Sequence, residues 1–443
     1  MFTDTIFAPL TTMAASAIGV VRISGKNCAT IITQLTGKAL PTPRMAVLRQ
    51  LINPKDGTQI DEALLLWFPA PHSFTGEDVA ELHVHGGRAV MRLLLDVLAH
   101  FPNTRPAEAG EFSRRAFHYG KMDLTKAEAI ADLVAAETAL QHRQALRQMN
   151  GELAKRYENW AEKLVKNLAW LEAFLDFPDE GLPDDLFTKV QAPLPPLLSE
   201  MNAHLSDNRR GELIREGIQV AVIGAPNAGK SSLVNAIAER DAVIVSAIAG
   251  TTRDVVAVHL DLRGYPVTLC DTAGLRESND LIEQEGIKRA RKTAEHADIK
   301  LAIFDTAGWP DLDADTLALV DERTIPVLNK IDLIYYPIEE IKGQRAYPVS
   351  ASYGQGIGGL LDAIAAKVEK ETGYQQQLSL TRPRHRLALE ETMTHLQRAL
   401  IADQAECLAE DLRLAVRSLG RITGRVDVED LLDIIFKDFC IGK

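Results

Sequence analysis

The chain has 443 residues, too long for one compact core and enough for about two to four domains. Apolar residues make up 46% and charged residues 25%, a globular mix that excludes bulk disorder and a fibrous repeat. The net charge of −12, from 49 Lys+Arg against 61 Asp+Glu, argues against a basic coat for nonspecific nucleic-acid binding. Residues 1–121 carry 12 Lys+Arg and 10 Asp+Glu, so a polyanionic partner is expected to meet a local patch near that region.

No apolar run reaches the ~18 residues of a membrane span, and the first residues lack the basic-then-apolar order of a secretory signal. Cys28, Cys270, Cys407 and Cys440 are scattered and form no CxxC pair. A reducing cytoplasm is the expected setting, with no membrane partner.

Residues 1–121 mix short β-type runs (18–23, 63–68, 79–84) with glycine and proline, which predicts a small α+β domain. From 123 to 177 there is no proline and one glycine, Gly151, and apolar residues recur at helical spacing: Leu124, Ala127, Ile130, Leu133, Val134. Strands alternate with helices from Gly217 to about residue 372, after which the pattern is helical again. Two helical stretches around an α/β unit predict a helical bundle with a doubly wound domain inserted in it. The expected boundaries are 1–121, 122–215, 216–373 and 374–443.

Residues 218–224 read as a buried strand and 232–238 as a helix. Between them lies Gly224-Ala-Pro-Asn-Ala-Gly229-Lys230-Ser231, a GxxxxGK[ST] loop. Its glycines let backbone N–H groups curl around phosphate oxygens at a helix N-terminus, Lys230 reaches the β/γ-phosphates, and the Ser231 hydroxyl suits Mg2+. In the next motif, Gly250-Thr-Thr-Arg-Asp254, either Thr251 or Thr252 is a metal ligand. Then Asp271-Thr-Ala-Gly274 offers a carboxylate to the metal's water and the Gly274 N–H to the γ-phosphate. Asn329-Lys330-Ile331-Asp332 is an NKxD motif: Asp332 can accept from N1–H and the 2-amino group of guanine, a donor pair adenine lacks, so GTP is selected over ATP. Ser350-Ala351-Ser352 supplies an N–H for guanine O6.

Together these motifs predict a GTPase. Asn227, Ala228, Gly229, Lys230, Ser231, Ser232, Ser246, Ala247, Ile248, Ala249, Gly250, Thr251, Thr252, Asp271, Thr272, Ala273, Gly274, Asn329, Lys330, Ile331, Asp332, Ser350, Ala351 and Ser352 line the nucleotide. Small switch GTPases place a water-orienting glutamine just after DxxG, where this chain has Leu275. The missing charge then comes from Asn227 with the carbonyls of residues 246–251 holding a monovalent cation, or from Glu283 or Arg276.

Further motifs carry a resemblance: Val21-Arg22-Ile-Ser-Gly25, Ser73-Phe-Thr-Gly-Glu-Asp78, His85-Gly-Gly87, Glu111-Phe-Ser-Arg-Arg-Ala-Phe117, Lys121-Met-Asp-Leu124 and Phe439-Cys-Ile-Gly-Lys443. With the G motifs, they make the chain resemble the MnmE (TrmE) family of tRNA-modification GTPases over essentially its whole length. The resemblance implies an N-terminal domain that binds a tetrahydrofolate derivative (5-formyl or methylene form) and dimerises. It also implies hydrolysis driven by K+-dependent pairing of G domains in a homodimer. The flavoprotein MnmG is the implied partner in a heterotetramer, installing a carboxymethylaminomethyl or aminomethyl group at C5 of the wobble uridine, U34, of tRNA.

By position, Asn227, Ser246, Ile248 and Thr251 would hold K+, Ser231 and Thr252 would hold Mg2+, and Glu283, Asn227 and Lys230 would serve catalysis. Arg22, Glu81, Lys121 and Lys443 would contact folate, Glu81 suiting the pterin donor edge and Arg22 and the lysines its anionic tail. Cys440 is a candidate for the one-carbon or redox step, although a lone cysteine beside phenylalanine more often packs. A ribosome-assembly or translation GTPase switch is the alternative.

Overall fold

The computed structural model describes residues 2–176, 185–207, 209–241, 257–271, 294–334, 339–373, 379–426, 428–437 and 439–442. The chain divides into two compact units, one made of residues 1–131, 148–186 and 397–443, the other of 132–147 and 187–396.

The first unit holds six strands: β1 (Thr5–Pro9), β2 (Ile18–Ser24), β3 (Val47–Ile52), β4 (Gln59–Phe68), β5 (Val79–His85) and β6 (Thr104–Pro106), in the order β3-β4-β5-β2-β1-β6. Strands β2, β4 and β5 run on past the apolar runs 18–23, 63–68 and 79–84, because ladder bonds carry pairing into the polar flanks. The alternation is that of a half-buried sheet: Val21, Ile23, Ala63, Leu65, Trp67, Ala80, Leu82 and Val84 face a core shared with helices α1 (Cys28–Thr36) and α2 (Arg88–Ala99). At the β1 end, Ile6 and Ala8 pack with Phe112 of α3 (Glu111–His118).

The helical stretch after Lys121 is three helices, α4 (Leu124–Ala135), α5 (Ala139–Met149) and α6 (Glu152–Asp176). The last break falls at Gly151, whose φ is +80°. Farther on come α7 (Leu186–Gln191), α8 (Leu194–Leu205) and α9 (Arg210–Glu216).

The second unit's sheet follows, with β7 (Ile218–Gly224), α10 (Lys230–Asp241), β8 (Ala257–Leu262), β9 (Tyr265–Asp271), β10 (Ile299–Asp305), α11 (Ala314–Ala318), β11 (Thr324–Asn329), the short hairpin β12 (Glu340–Ile341) and β13 (Gln344–Arg345), then β14 (Tyr347–Pro348) and α12 (Ile357–Thr372). The order is β14-β11-β10-β7-β9-β8. All neighbours are parallel except the β8–β9 edge hairpin, which makes this the doubly wound fold expected from the sequence. Leu233, Val234 and Ile237 of α10 and Leu360, Ile364 and Val368 of α12 close a core over Val220, Val222, Leu301 and Val327.

Arg386, in α13 (Pro383–Ile401), clasps the segments on either side of this sheet. Its Nη2 and Nε donate to Asp207 (2.7 Å) and to the buried Glu212 (3.1 Å), and its Nη1 donates to the Leu205 carbonyl (2.9 Å).

Helices α14 (Ala405–Thr423) and α15 (Glu429–Lys437) belong to the first unit. Antiparallel to α6, α14 packs along it, with Arg425 on Glu158 (2.7 Å) and Arg413 on Glu172 (2.8 Å). Phe436 and Phe439 meet Leu124 and Ala127 in a small core. Ile441 pairs with Ala109, and Gly442 lies against Pro9, where an added Cβ would fall 2.4 Å from the Pro9 carbonyl oxygen.

Candidate nucleotide site and N-terminal charged residues

Strand β7 delivers the loop 224–230 to the N-terminus of α10, which begins at Lys230, two residues earlier than the sequence reading placed it. Asn227 adopts a left-handed conformation at φ +63° and Gly229 one at +91°. A methyl on Gly229 would stand 2.2 Å from Asn329 Nδ2, so only glycine leaves room for that side chain. Lys230 Nζ donates to the carbonyls of Gly224 (2.9 Å) and Ala225 (2.8 Å), bridging the loop its ammonium serves. Ser231 and Ser232 are exposed on the first turn of the helix.

The NKxD segment closes the opposite side. Asn329 is buried at the end of β11; its Nδ2 donates to the Ala228 carbonyl (2.9 Å) and its Oδ1 accepts from the Ala351 N–H (3.1 Å). One side chain thus ties the phosphate loop to the 350–352 loop. Ser350 Oγ donates to Asp332 Oδ1 at 2.5 Å, fixing an exposed carboxylate at the rim. Ile331 contributes its N–H to the Val349 carbonyl (3.3 Å).

Asp305 had no assigned role in the sequence reading. Its Oδ2 accepts from Lys330 Nζ at 2.6 Å, and its Oδ1 accepts from the Ala307 N–H at 2.9 Å. Burial pushes this carboxyl up, but the two hydrogen bonds and the ammonium's charge outweigh it and hold the group below the usual carboxylate range. No signal beyond an aspartate at the end of an apolar strand marks it.

Asp271 ends β9. Ser246, Ala247, Ile248, Ala249, Gly250, Thr251, Thr252, Thr272, Ala273, Gly274, Leu275, Arg276, Glu283 and Lys443 lie outside the described residues.

In the first unit, Arg22 and Glu81 face each other across β2 and β5, and Arg22 Nε and Nη2 both donate to Glu81 Oε1 (3.0 and 2.8 Å). The guanidinium carbon sits 4.9 Å from the Phe74 ring centroid and 5.5 Å from that of Phe112. Glu81 Oε2 is left with His83 Nε2 at 3.7 Å. Cross-strand register thus joins these two residues at one place. Lys121 and Cys440 are exposed.

Sequence reading also missed a buried ionic network. Arg115 is fully buried and donates to Asp4 Oδ1 (2.8 Å), Glu111 Oε1 (2.9 Å) and Glu77 Oε2 (3.1 Å). Arg105 grips both oxygens of Glu111 (2.7 and 2.8 Å), and Ser24 Oγ donates to Glu77 (2.9 Å). Burial raises the Glu111 and Asp4 carboxyls, yet the arginine contacts prevail and hold both below their ordinary values.

A phosphate loop on a parallel strand and an NKxD turn whose aspartate is held by a serine together define a P-loop GTPase. Family models match most of the chain: "GTP-binding protein TrmE N-terminus" over residues 5–121 and "MnmE helical domain" over 124–440. The chain belongs to the MnmE family of tRNA modification GTPases. The relative named tRNA modification GTPase MnmE from Paramagnetospirillum magneticum is 52% identical over 99% of this chain and 100% of its own. Those of Rhodospirillum rubrum (50%, covering 100% of each chain) and Rickettsia typhi (44%, 99% and 100%) carry the same name. Among solved structures, the FeoB G-domain of Methanococcus jannaschii aligns over 34% of this chain and 98% of its own, at 26% identity and a TM-score of 0.27.

Proposed function

We propose that this chain hydrolyses GTP in the service of tRNA modification, acting as a homodimer with a flavoprotein partner of the MnmG kind on C5 of the wobble uridine, U34. The observation that carries the GTP half is Asn329, which binds the phosphate loop and the base loop at once beside Asp332. The relatives' shared name, over nearly the full length of each chain, supports the tRNA half.

Within that reading, Lys230 moves from its loop carbonyls to the β/γ-phosphates, while the N–H groups of residues 227–231 cradle them. Ser231 and Thr252 would hold Mg2+, and the exposed Ser231 hydroxyl on the first turn of α10 fits that task. Asn227, with Ser246, Ile248 and Thr251, would hold K+, which would supply positive charge between the β- and γ-phosphates where other GTPases use an arginine. Glu283 positions the attacking water. A tetrahydrofolate derivative would lie against Glu81, whose Oε2 is not engaged by Arg22 and suits a pterin donor pair; Arg22 orients that carboxylate. Lys121, Lys443 and Cys440 complete the assignment near the ligand. The cytoplasm is the proposed setting.

GTP turnover in KCl against NaCl at equal ionic strength tests the cation: several-fold faster hydrolysis in KCl is expected, and equal rates remove it. Glu81→Ala should abolish folate binding in a calorimetric titration while GDP affinity stays unchanged. Mass spectrometry of wobble uridines in a deletion strain separates this reading from a ribosome-assembly switch, which leaves them intact.

A further inference from the structure

The turn that presents Asp332 begins at Lys330, a non-glycine residue with φ +68°, in the left-handed region that L-amino acids avoid. Two neighbouring side chains hold it there. Asp305 stands opposite Asn329 where β10 and β11 end together, and its Oδ2 takes the Lys330 ammonium at 2.6 Å. Thr306, almost fully buried, donates its hydroxyl to the Lys330 carbonyl at 3.1 Å. That carbonyl also accepts from the Leu333 N–H (3.0 Å), the bond that closes the 330–333 turn. Side chain and backbone of Lys330 are therefore both anchored from one adjacent strand end. Asp305 is anchored in turn by the Ala307 N–H, so the support is rigid. Asn329 precedes the turn and Asp332 lies inside it, so a relaxed Lys330 would re-aim both groups that meet the nucleotide.

We propose that Asp305 and Thr306 are positioning residues for guanine recognition, holding Lys330 in the strained turn that aims Asp332 at the base edge. A plain surface ion pair would leave the Thr306 bond and the left-handed backbone unexplained. The proposal rests on the GTP reading above.

Its test is the affinity of the full-length chain for fluorescent GDP, IDP and ADP, with unfolding temperature measured alongside. IDP lacks the 2-amino group, so the GDP:IDP ratio reads how well Asp332 is aimed. Asp305→Asn should weaken GDP by about tenfold and shrink that ratio, since a mis-aimed carboxylate gains less from the second donor. Thr306→Val keeps shape and removes only the bond to the Lys330 carbonyl; it should shrink the ratio too, and it reads the same quantity should Asp305→Asn lower the unfolding temperature. An unchanged GDP:IDP ratio in both variants overturns the positioning role, even if GDP and IDP weaken together. A wild-type chain that binds ADP as well as GDP overturns the guanine reading itself, and this proposal with it.

Discussion

Gly229 and Arg115 show how much one side chain, or its absence, decides. An alanine at Gly229 would drive its methyl into Asn329, whose two polar atoms are both engaged and buried. Displacing them leaves the Ala228 carbonyl and the Ala351 N–H unmatched, at about 1–3 kcal/mol each. Gly229→Ala should therefore weaken GDP binding by tenfold or more (on the order of 1.4 kcal/mol per decade), read by fluorescence titration. At Arg115, removal of the guanidinium strands Glu77 beside Ser24 in a dry interior. Arg115→Met should destabilise the N-terminal sheet by about 3–5 kcal/mol, and adding Glu77→Gln should restore part of it, as coupled neighbours do. The network also sets an acid limit. The Asp4 and Glu111 carboxyls are depressed in the folded state, so their contribution is fully present above the unfolded value of about 4 and disappears as pH falls through the lower folded values. Hydrogen-exchange protection factors (rates corrected for the intrinsic pH dependence) in residues 104–118 should fall below that range and stay flat from pH 5 to 7.

Among elements, α6 and α14 separate decoration from support. The pairs of Arg413 and Arg425 with Glu172 and Glu158 are largely exposed, worth about 0–1 kcal/mol. Leu408, Leu412 and Leu419 are buried. Leu412→Ala should cost about 2–5 kcal/mol and Arg413→Ala less than about 1, compared by denaturant unfolding. This scale was also the most legible in the sequence. Apolar spacing reveals helices in 124–176, and the glycine loop with its flanks reveals a strand, a turn and a helix, because those signals are local. The Arg115 network was legible only in its Glu111 pair, four residues away: Glu77 and Asp4 lie 38 and 111 residues away, and only the tertiary fold brings them to the helix that carries Arg115. Arg22 and Glu81 were read singly for the same reason, and Asp305 belongs to no recurrent motif.

In the whole molecule, the first compact unit is built from three stretches of chain, with the second unit's residues lying between them in sequence. Gly442 rests on Pro9, and Phe436 and Phe439 close over Gly110, where a Cβ would meet their atoms at 2.6–3.0 Å. At roughly 5–20 residues per second, a translating ribosome needs about 15–60 s to go from residue 131 to residue 439. For that interval the β1 rim and the apolar sides of Phe117 and Leu124 lack their cover. The nascent first unit thus has to survive half-finished while the whole GTP-binding sheet is being synthesised.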